Sequence, residues 1–177
     1  MRMRNNPIAQ KISTGKKETL ALAGVIFTAL VTAFLISLFV ASLGVVAGPS
    51  MEDTLTDGDL ILIFKLSREY EKGDVVVVDL PELSRRGTVV KRITATQGDH
   101  VLINSQGELY VNSELILTFS EGSFCPMDTV MGSGEIFLTG DNLSQSVDSR
   151  SEGFPRVTKD DIVGKVVLRL FPKIEKI

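Results

Sequence analysis

The longest apolar run of the sequence lies near its start. From Leu20 to Ala47 it contains 28 residues without a charge, whereas the roughly 30 Å hydrocarbon core of a bilayer needs only about 20 helical residues. The apolar part of a cleaved secretory signal is shorter, about 7–15 residues. We therefore predict a retained transmembrane helix over residues 20–47, with residues to spare for tilt or an extended exit, and favour it over a cleaved signal.

Beyond residue 50 the pattern changes to short apolar runs separated by turn-forming residues. Runs rich in Val, Ile and Leu that are opened by Gly-Asp or closed by Pro are typical of β-strands. They predict strands over 59–66, 73–81, 87–99, 134–141 and 162–171, and a hairpin over 100–116 that folds at Ser105-Gln106-Gly107. Residues 142–155 have loop chemistry, and a short helical turn is expected near Lys159 to Ile162. The predicted fold is mostly β: a compact, strongly bent antiparallel β-sheet domain behind one N-terminal transmembrane helix.

Charge is distributed unequally about the apolar run. Residues ahead of it carry five Lys and Arg against one acid, and residues 49 onward carry 14 Lys and Arg against 21 Asp and Glu. Basic flanks of a membrane span tend to stay in the cytoplasm. We therefore predict a cytoplasmic N-terminus at 1–19, an anchor at 20–47 and an exported domain at 48–177, in a single-pass protein of the cell membrane. The exported domain is acidic and has no basic stripe, so no nucleic-acid partner is expected.

Cysteine and histidine are scarce. With Cys125 as the single cysteine no internal disulfide is expected, and with His100 as the single histidine no zinc cluster is recognisable. His100 follows a Gly-Asp turn, where an exposed histidine without a catalytic duty is the favoured interpretation. We expect no metal and no cofactor, so that stability has to come from packing.

Lysine remains as a candidate general base. Its ordinary pKa is near 10.4, so a lysine works at neutral pH only where burial lowers that pKa by roughly 2–3 units. Side chains alternate along a strand, which puts Lys91 and Arg92 on opposite faces. The face of Lys91 is otherwise aliphatic: Val89, Ile93 and Ala95. This favours a dehydrated amine at Lys91, although a surface lysine whose stem lies along the sheet is the more common arrangement.

Ser50 alone is an ambiguous signal, since a serine often caps or shapes a turn. Four sequence blocks together are specific: GPSMEDTL at 48–55, GDVVVVDLP at 73–81, VVKRITATQGD at 89–99 and TGDNLSQSVDSR at 139–150. In this order behind an N-terminal anchor they resemble the type I signal peptidases of bacteria, the Ser-Lys dyad leader peptidases, over most of the chain from 43 to 171. About forty residues separate the lysine block from Gly140, a short gap that resembles the compact form of the family in Gram-positive-type bacteria.

The resemblance implies a covalent, metal-free mechanism. Ser50 is the expected nucleophile, and Lys91 is the expected general base that replaces histidine. Ser146 occupies the position of a hydroxyl that hydrogen-bonds to the lysine and orients it. The oxyanion is expected to bind the backbone N–H of Ser50, with help from Gly48, which offers only its backbone.

The resemblance also implies supporting and binding residues. Asp141, Asp148 and Arg150 are expected to fasten the loop that carries Ser146. Met51, together with Leu55, is predicted to be exposed and to add apolar contact with substrate or lipid. The substrate is expected to bind as an extended segment along a strand edge, with small pockets for alanine-like residues one and three before the cut.

Three positions depart from the family pattern. Asp53 stands where the first block normally has proline, Gln97 replaces a proline before Gly-Asp, and Leu143 replaces an arginine after Gly-Asp-Asn. None of them is Ser50 or Lys91, so they predict an altered substrate preference and leave the mechanism in place.

The sequence therefore predicts a monomeric, membrane-anchored serine endopeptidase that removes N-terminal signal peptides from exported precursors at the bilayer surface. The main alternative is a signal-peptidase-like assembly factor or chaperone, for example in building surface pili. A self-cleaving repressor with the same Ser-Lys chemistry is disfavoured because the chain has an anchor and no DNA-binding domain. An anchored β module that only binds peptide is the remaining alternative.

Overall fold

The computed structural model describes residues 7–81, 83, 87–119 and 124–177, with side chains from residue 18 onward. The basic side chains of the predicted cytoplasmic flank lie outside the described residues. The chain divides into two units, Met1–Val40 and Ala41–Ile177. In chain order the elements are α1 (Pro7–Phe39), β1 (Ala41–Val45), β2 (Leu60–Phe64), β3 (Val75–Asp79), β4 (Thr88–Thr96), β5 (His100–Ile103), β6 (Glu108–Val111), β7 (Glu114–Thr118), β8 (Met127–Val130), β9 (Glu135–Thr139), β10 (Val157–Thr158), a 3₁₀ helix (Lys159–Asp161), β11 (Ile162–Phe171) and β12 (Glu175–Lys176).

The helix of the first unit is long and apolar enough to cross a membrane. Its stretch Glu18–Phe39 has 22 residues, none of them buried inside the protein. The helix ends at Phe39, earlier than the predicted boundary at Ala47, because the rest of the apolar run forms β1 and pairs with β2. Gly44 permits that close pairing, since a Cβ there would lie 2.9 Å from Cδ1 of Ile63. The end of the apolar run thus belongs to the β unit.

The first sheet has the strand order β1-β2-β11-β3-β4-β9-β10, with β12 paired to β11. Every pairing among its described strands is antiparallel. Its central strand β3 is buried on both faces: Val75 and Val77 pack into one apolar cluster, and Val76 and Val78 pack into another. A strand covered on both sides needs a continuous apolar run, which is what the four valines supply.

The second sheet has the order β7-β6-β5-β8, a Greek-key arrangement in which β8 returns to pair with β5. The predicted hairpin over 100–116 is confirmed for β5 and β6 but ends too early, because a third strand, β7, follows it. The chain turns into β7 through Asn112 and Ser113, whose φ angles of 53° and 70° suit a two-residue hairpin loop. A third apolar cluster, which includes Val101, Leu109 and Phe119, lies behind this sheet.

The predicted strands and the 3₁₀ helix at Lys159–Asp161 are confirmed, and the prediction of a mostly antiparallel β domain behind one apolar helix is correct. One predicted strand face is wrong. The register of β4 against β9 shifts between Ile93 and Ala95, so that these two residues enter different apolar clusters. A bulge inserts one residue and turns the following side chains over, which ends the face of Lys91 at Ile93.

Candidate active site

Ser50 lies in a turn between β1 and β2 that is fixed to the core by its next apolar residues. The N–H groups of Thr54 and Leu55 donate to the Met51 carbonyl at 3.1 and 2.7 Å, so that Met51 and Leu55 point to the same side. Their side chains are 1% and 0% exposed. The prediction that both are exposed is therefore wrong, and burial leaves Met51 no surface to offer to substrate or lipid in this conformation.

Lys91 reaches this turn from the middle of β4. The residue is 4% exposed, and its Nζ lies 2.7 Å from Ser50 Oγ. The predicted burial of Lys91 is confirmed, and the amine and the hydroxyl that lie 41 positions apart in the sequence are within hydrogen-bond distance.

The surroundings of the Lys91 amine disfavour its charged form. Desolvation by burial lowers the pKa of Lys91 to about 8; the negative charges of Asp148 and Asp141 act in the opposite direction, and the positive charge of Arg150 adds to the lowering. An amine with this pKa is neutral in a useful fraction of molecules near neutral pH. Lys91 can therefore accept a proton from the hydroxyl that it contacts.

A cavity of about 350 Å³ opens at the two side chains. Apart from Ser50 and Lys91, its walls are mostly small or aliphatic, and include Val45, Ala47, Val89, Val90 and Val147. The aliphatic part of these walls accepts short apolar side chains.

A buried ion pair holds the loop that follows β9. Asp148 and Arg150 are 0% and 1% exposed, and two hydrogen bonds of 2.8 Å join the guanidinium to the carboxylate. Asp148 also accepts the Gly140 N–H at 2.8 Å, and Arg150 donates to the Leu143 carbonyl at 3.1 Å. Because both charges are satisfied from several sides, the pair fixes the course of the loop, which agrees with the predicted fastening role.

Asp141 fastens the same loop to β4. Its carboxylate accepts hydrogen bonds from Arg92 Nε and Nη2 at 2.8 and 2.7 Å. Arg92 also donates to Thr54 Oγ1 at 3.0 Å and to the Gly73 carbonyl at 2.7 Å. The residue next to Lys91 thus ties three segments around the site. The alternation of β4 predicted only that Arg92 takes the face opposite Lys91, and its pairing with Asp141 had no local signal.

Ser146 does not make the hydrogen bond that the resemblance implied. It is 7% exposed, yet its Oγ has no hydrogen-bond partner among the described residues. The hydroxyl faces Gly140 instead, where a Cβ would lie 2.2 Å from Ser146 Oγ and 2.4 Å from the Ser50 carbonyl oxygen. Gly140 therefore permits the close approach of this loop to the Ser50 turn. Ser146 lies in the loop, and its hydroxyl has no hydrogen-bond partner among the described residues.

Gly48 also differs from its expected role. Its φ is +91°, a conformation that favours glycine, and its N–H already donates to Asp57 Oδ1 at 2.8 Å. The Gly48 N–H is thus occupied in this conformation, whereas the Ser50 N–H meets no acceptor among the described residues. Of the two donors expected for the oxyanion, the one at Ser50 is available.

Each of the three departures from the family pattern has a structural consequence. Asp53 is exposed with φ of 85°, which proline, fixed near −65°, is unable to adopt. Gln97 Oε1 accepts the Gly134 N–H at 2.9 Å. The carbonyl of Leu143 accepts the hydrogen bond from Arg150. The turn after Ser50 is therefore built for a residue that tolerates positive φ.

The histidine lies in the second sheet and contacts another carboxylate. His100 Nε2 is 2.6 Å from Asp128 Oδ1; the His100 side chain is partly exposed and that of Asp128 is largely exposed. This arrangement suits the interpretation of His100 as a surface residue. Among the described residues no group of three or more His, Cys, Asp or Glu side chains is arranged to hold a metal ion.

Comparison with known proteins gives a family match and several relatives. Residues 19–171 match the family described as signal peptidase, peptidase S26. Signal peptidase I of Bacillus licheniformis is 30% identical, over 93% of this chain and 96% of that protein. The human mitochondrial inner membrane protease subunit 1 is 28% identical, over 76% of this chain and 72% of that protein. A crystal structure of a signal peptidase I from Enterococcus faecalis has a TM-score of 0.43 and 19% identity, over 55% of this chain and 97% of that one.

Proposed function

The chain belongs to the signal peptidase family, peptidase S26, and we propose that it removes N-terminal signal peptides from exported precursors as a membrane-anchored serine endopeptidase. In this proposal Ser50 is the nucleophile and Lys91 is the general base. The observation that carries it is the 2.7 Å contact between Lys91 Nζ and Ser50 Oγ, made by an amine that is 4% exposed. A nucleophile and a base within hydrogen-bond reach are the minimum that acyl transfer needs.

The reaction proceeds in two halves. The neutral Lys91 amine takes the proton of Ser50 Oγ while the oxygen attacks the carbonyl carbon of the peptide bond. The resulting ammonium returns the proton to the departing amine, which leaves an ester on Ser50. Lys91 then takes a proton from water, hydroxide attacks the ester carbon, and Ser50 regains its proton as the signal peptide is released. In this proposal the Ser50 N–H binds the oxyanion in both halves, and such a donor is worth about 3–4 kcal/mol.

The free edge of β4 supports an extended substrate. β9 pairs with β4 only from Arg92 to Thr96, whereas β3 covers residues 88–92 on the other side. Residues 88–90, directly before Lys91, therefore lack a strand on the β9 side among the described residues, and they line the cavity at Ser50. A substrate strand added there brings alternate side chains toward the cavity, whose aliphatic walls suit the small residues expected before the cut.

The apolar helix supports a membrane location. Glu18–Phe39 is long enough to span a bilayer, and the excess of Lys and Arg ahead of it favours a cytoplasmic N-terminus and an exported β domain in the cell membrane. We place the anchor at about 18–39 and the start of the exported domain at about 41, which revises the predicted division at 47 and 48. A shared bilayer raises the effective concentration of enzyme and precursor.

A cleavage assay tests this function. The full chain in detergent is incubated with a secretory precursor, and the cut is mapped by mass spectrometry of both products. The parent protein should release an N-terminal peptide that ends at a small residue, and Ser50→Ala should abolish the reaction. Ser105→Ala, which changes an exposed serine in the β5–β6 turn, is the matched control and should cleave as the parent does.

Two results would contradict the proposal. Cleavage by Ser50→Ala at the parent rate would remove Ser50 from the mechanism. If the parent cleaved no precursor, the enzymatic function would fail and the alternative role as an assembly factor would gain.

A further inference from the structure

The acceptor of the Gly48 N–H is a residue that none of the expected site roles includes. Asp57 follows nine positions later, in the exposed turn that leads into β2, and its Oδ1 is 2.8 Å from the Gly48 nitrogen. A hydrogen bond from a backbone N–H to a carboxylate is stronger than one to a neutral acceptor. Asp57 is therefore able to hold the Gly48 peptide in one orientation.

The Gly48–Asp57 hydrogen bond lies in a segment whose two ends, at Val46 and Ser50, are held by other hydrogen bonds. On one side, Val46 exchanges two backbone hydrogen bonds with the β2 turn, its carbonyl accepting from Gly58 at 3.0 Å and its N–H donating to Asp59 at 2.9 Å. On the other side, the Ser50 carbonyl accepts the Asn142 N–H at 3.1 Å. Between them, Gly48 has positive φ and no side chain to pack, so the Asp57 carboxylate adds a hydrogen bond that constrains its backbone.

We propose that Asp57 is a positioning residue for the reaction assigned above to Ser50 and Lys91, and the inference rests on that function. Its carboxylate fixes the Gly48 peptide, and Gly48 in turn sets the direction from which the chain enters Ser50. This keeps Ser50 Oγ at Lys91 and aims the Ser50 N–H at the oxyanion. The Gly48 N–H then stabilises the turn and does not bind the oxyanion. The Asp57 carboxylate that accepts this N–H would repel the negative charge that develops on the substrate.

Kinetics of two Asp57 variants separate positioning from general stability. Asp57→Ala removes the acceptor, and we expect kcat to fall about tenfold to a hundredfold with KM changed by less than about twofold, because a small displacement of a nucleophile costs rate rather than binding. Asp57→Asn keeps an amide oxygen as acceptor and should stay within about threefold of the parent. Asp160→Ala removes the same charge from an exposed position on the 3₁₀ helix and should leave kcat unchanged.

Amide hydrogen exchange of the full chain in detergent gives a readout that does not depend on activity. The Gly48 amide should lose protection in Asp57→Ala and keep it in Asp57→Asn, with the same thermal midpoint in all three proteins. Equal protection of Gly48 in the parent and in Asp57→Ala would overturn the proposal, as would an unchanged or increased kcat in Asp57→Ala, or equal impairment of both variants. A parent that cleaves nothing would refute the proposed function, and the exchange result would still decide whether Asp57 holds Gly48.

Discussion

Two lysines flank the same valine of the first sheet and differ in what their amines contact. Lys91 of β4 and Lys165 of β11 both pair with Val76 of β3. Lys165 Nζ is 2.5 Å from Asp74 Oδ1, and its side chain is 33% exposed. Lys91 is 4% exposed and contacts a neutral hydroxyl. The same residue type in the same row of a sheet thus forms an ion pair in one case and a candidate base in the other.

The difference depends on which carboxylates are already engaged. The two aspartates whose charges favour the ammonium form of Lys91 are Asp148 and Asp141. Each of them is bound by an arginine, Asp148 by Arg150 and Asp141 by Arg92. With those charges compensated, desolvation is the largest influence on the Lys91 pKa. Arg150 thus does more than fasten a loop, because its positive charge also lowers the pKa of Lys91.

Removing each amine in turn should produce the largest contrast. Lys91→Ala should lower kcat at least about a thousandfold, because no other base contacts Ser50 Oγ among the described residues. Lys165→Ala, the matched control, should stay within about threefold of the parent. The check is single-turnover cleavage of a precursor by both variants and the parent. A comparable loss of kcat in the two variants would show that the position of a lysine in the sheet determines its effect, and that the contact with Ser50 does not.

Replacing Lys91 with methionine should stabilise the protein while it abolishes activity. The folded pKa of about 8 lies below the ordinary value of 10.5, so below pH 8 the folded state carries the cost of a buried charge. That shift corresponds to about 3 kcal/mol. As pH rises from 8 to 10.5 the parent regains this stability, and the advantage of Lys91→Met should shrink to nothing.

Denaturant unfolding of both proteins in detergent at pH 7 and pH 10.5 measures that difference, and titration of all other groups cancels between them. Equal stability at pH 7 would mean that the amine has access to water in the folded state. The proposed base would then lack the desolvation on which it depends.

The pH dependence of cleavage should follow the neutral fraction of Lys91. Because only the unprotonated amine accepts the Ser50 proton, activity should rise with pH and reach half its maximum near the pKa of about 8. From pH 8 down to pH 6 the neutral fraction, and with it kcat/KM, should fall about fiftyfold. The profile of Lys165→Ala should be the same. A midpoint near that of a free lysine would contradict the assignment.

Local pattern favoured a dehydrated Lys91 without deciding it, and gave no indication of the partner of its amine. The alternation of side chains in β4 follows from the sequence, and so do the apolar neighbours of Lys91 on its strand face up to Ile93. The contact with Ser50, 41 positions away, depends on how a turn and a strand meet in space, and only the resemblance to a family indicated it. The bulge after Ile93 arises from pairing with β9 and leaves no mark in β4 itself.

The features that the sequence did not predict correctly have equally specific physical causes. Hydropathy does not distinguish a lipid-exposed helix from an edge strand, so the anchor was extended across β1. Strand β8 reads Met-Asp-Thr-Val and is mostly exposed, which leaves no apolar run to detect. Met51 is buried, contrary to the prediction, because the turn directs its side chain into the core. The Gly48–Asp57 bond joins a backbone atom to a side chain, and no residue pattern encodes such a pair.

The smallest effect in this comparison should come from Lys165→Met. It removes an ion pair that is partly exposed, and pairs of this kind contribute about 0.2–1 kcal/mol. Asp74 is not left without a partner, since its other oxygen accepts the Glu71 N–H at 3.1 Å. We therefore expect a loss of stability below about 1 kcal/mol in denaturant unfolding, opposite in sign to that of Lys91→Met. A gain from Lys165→Met would mean that Lys165, like Lys91, carries an uncompensated burial cost, and the contrast between the two lysines would disappear.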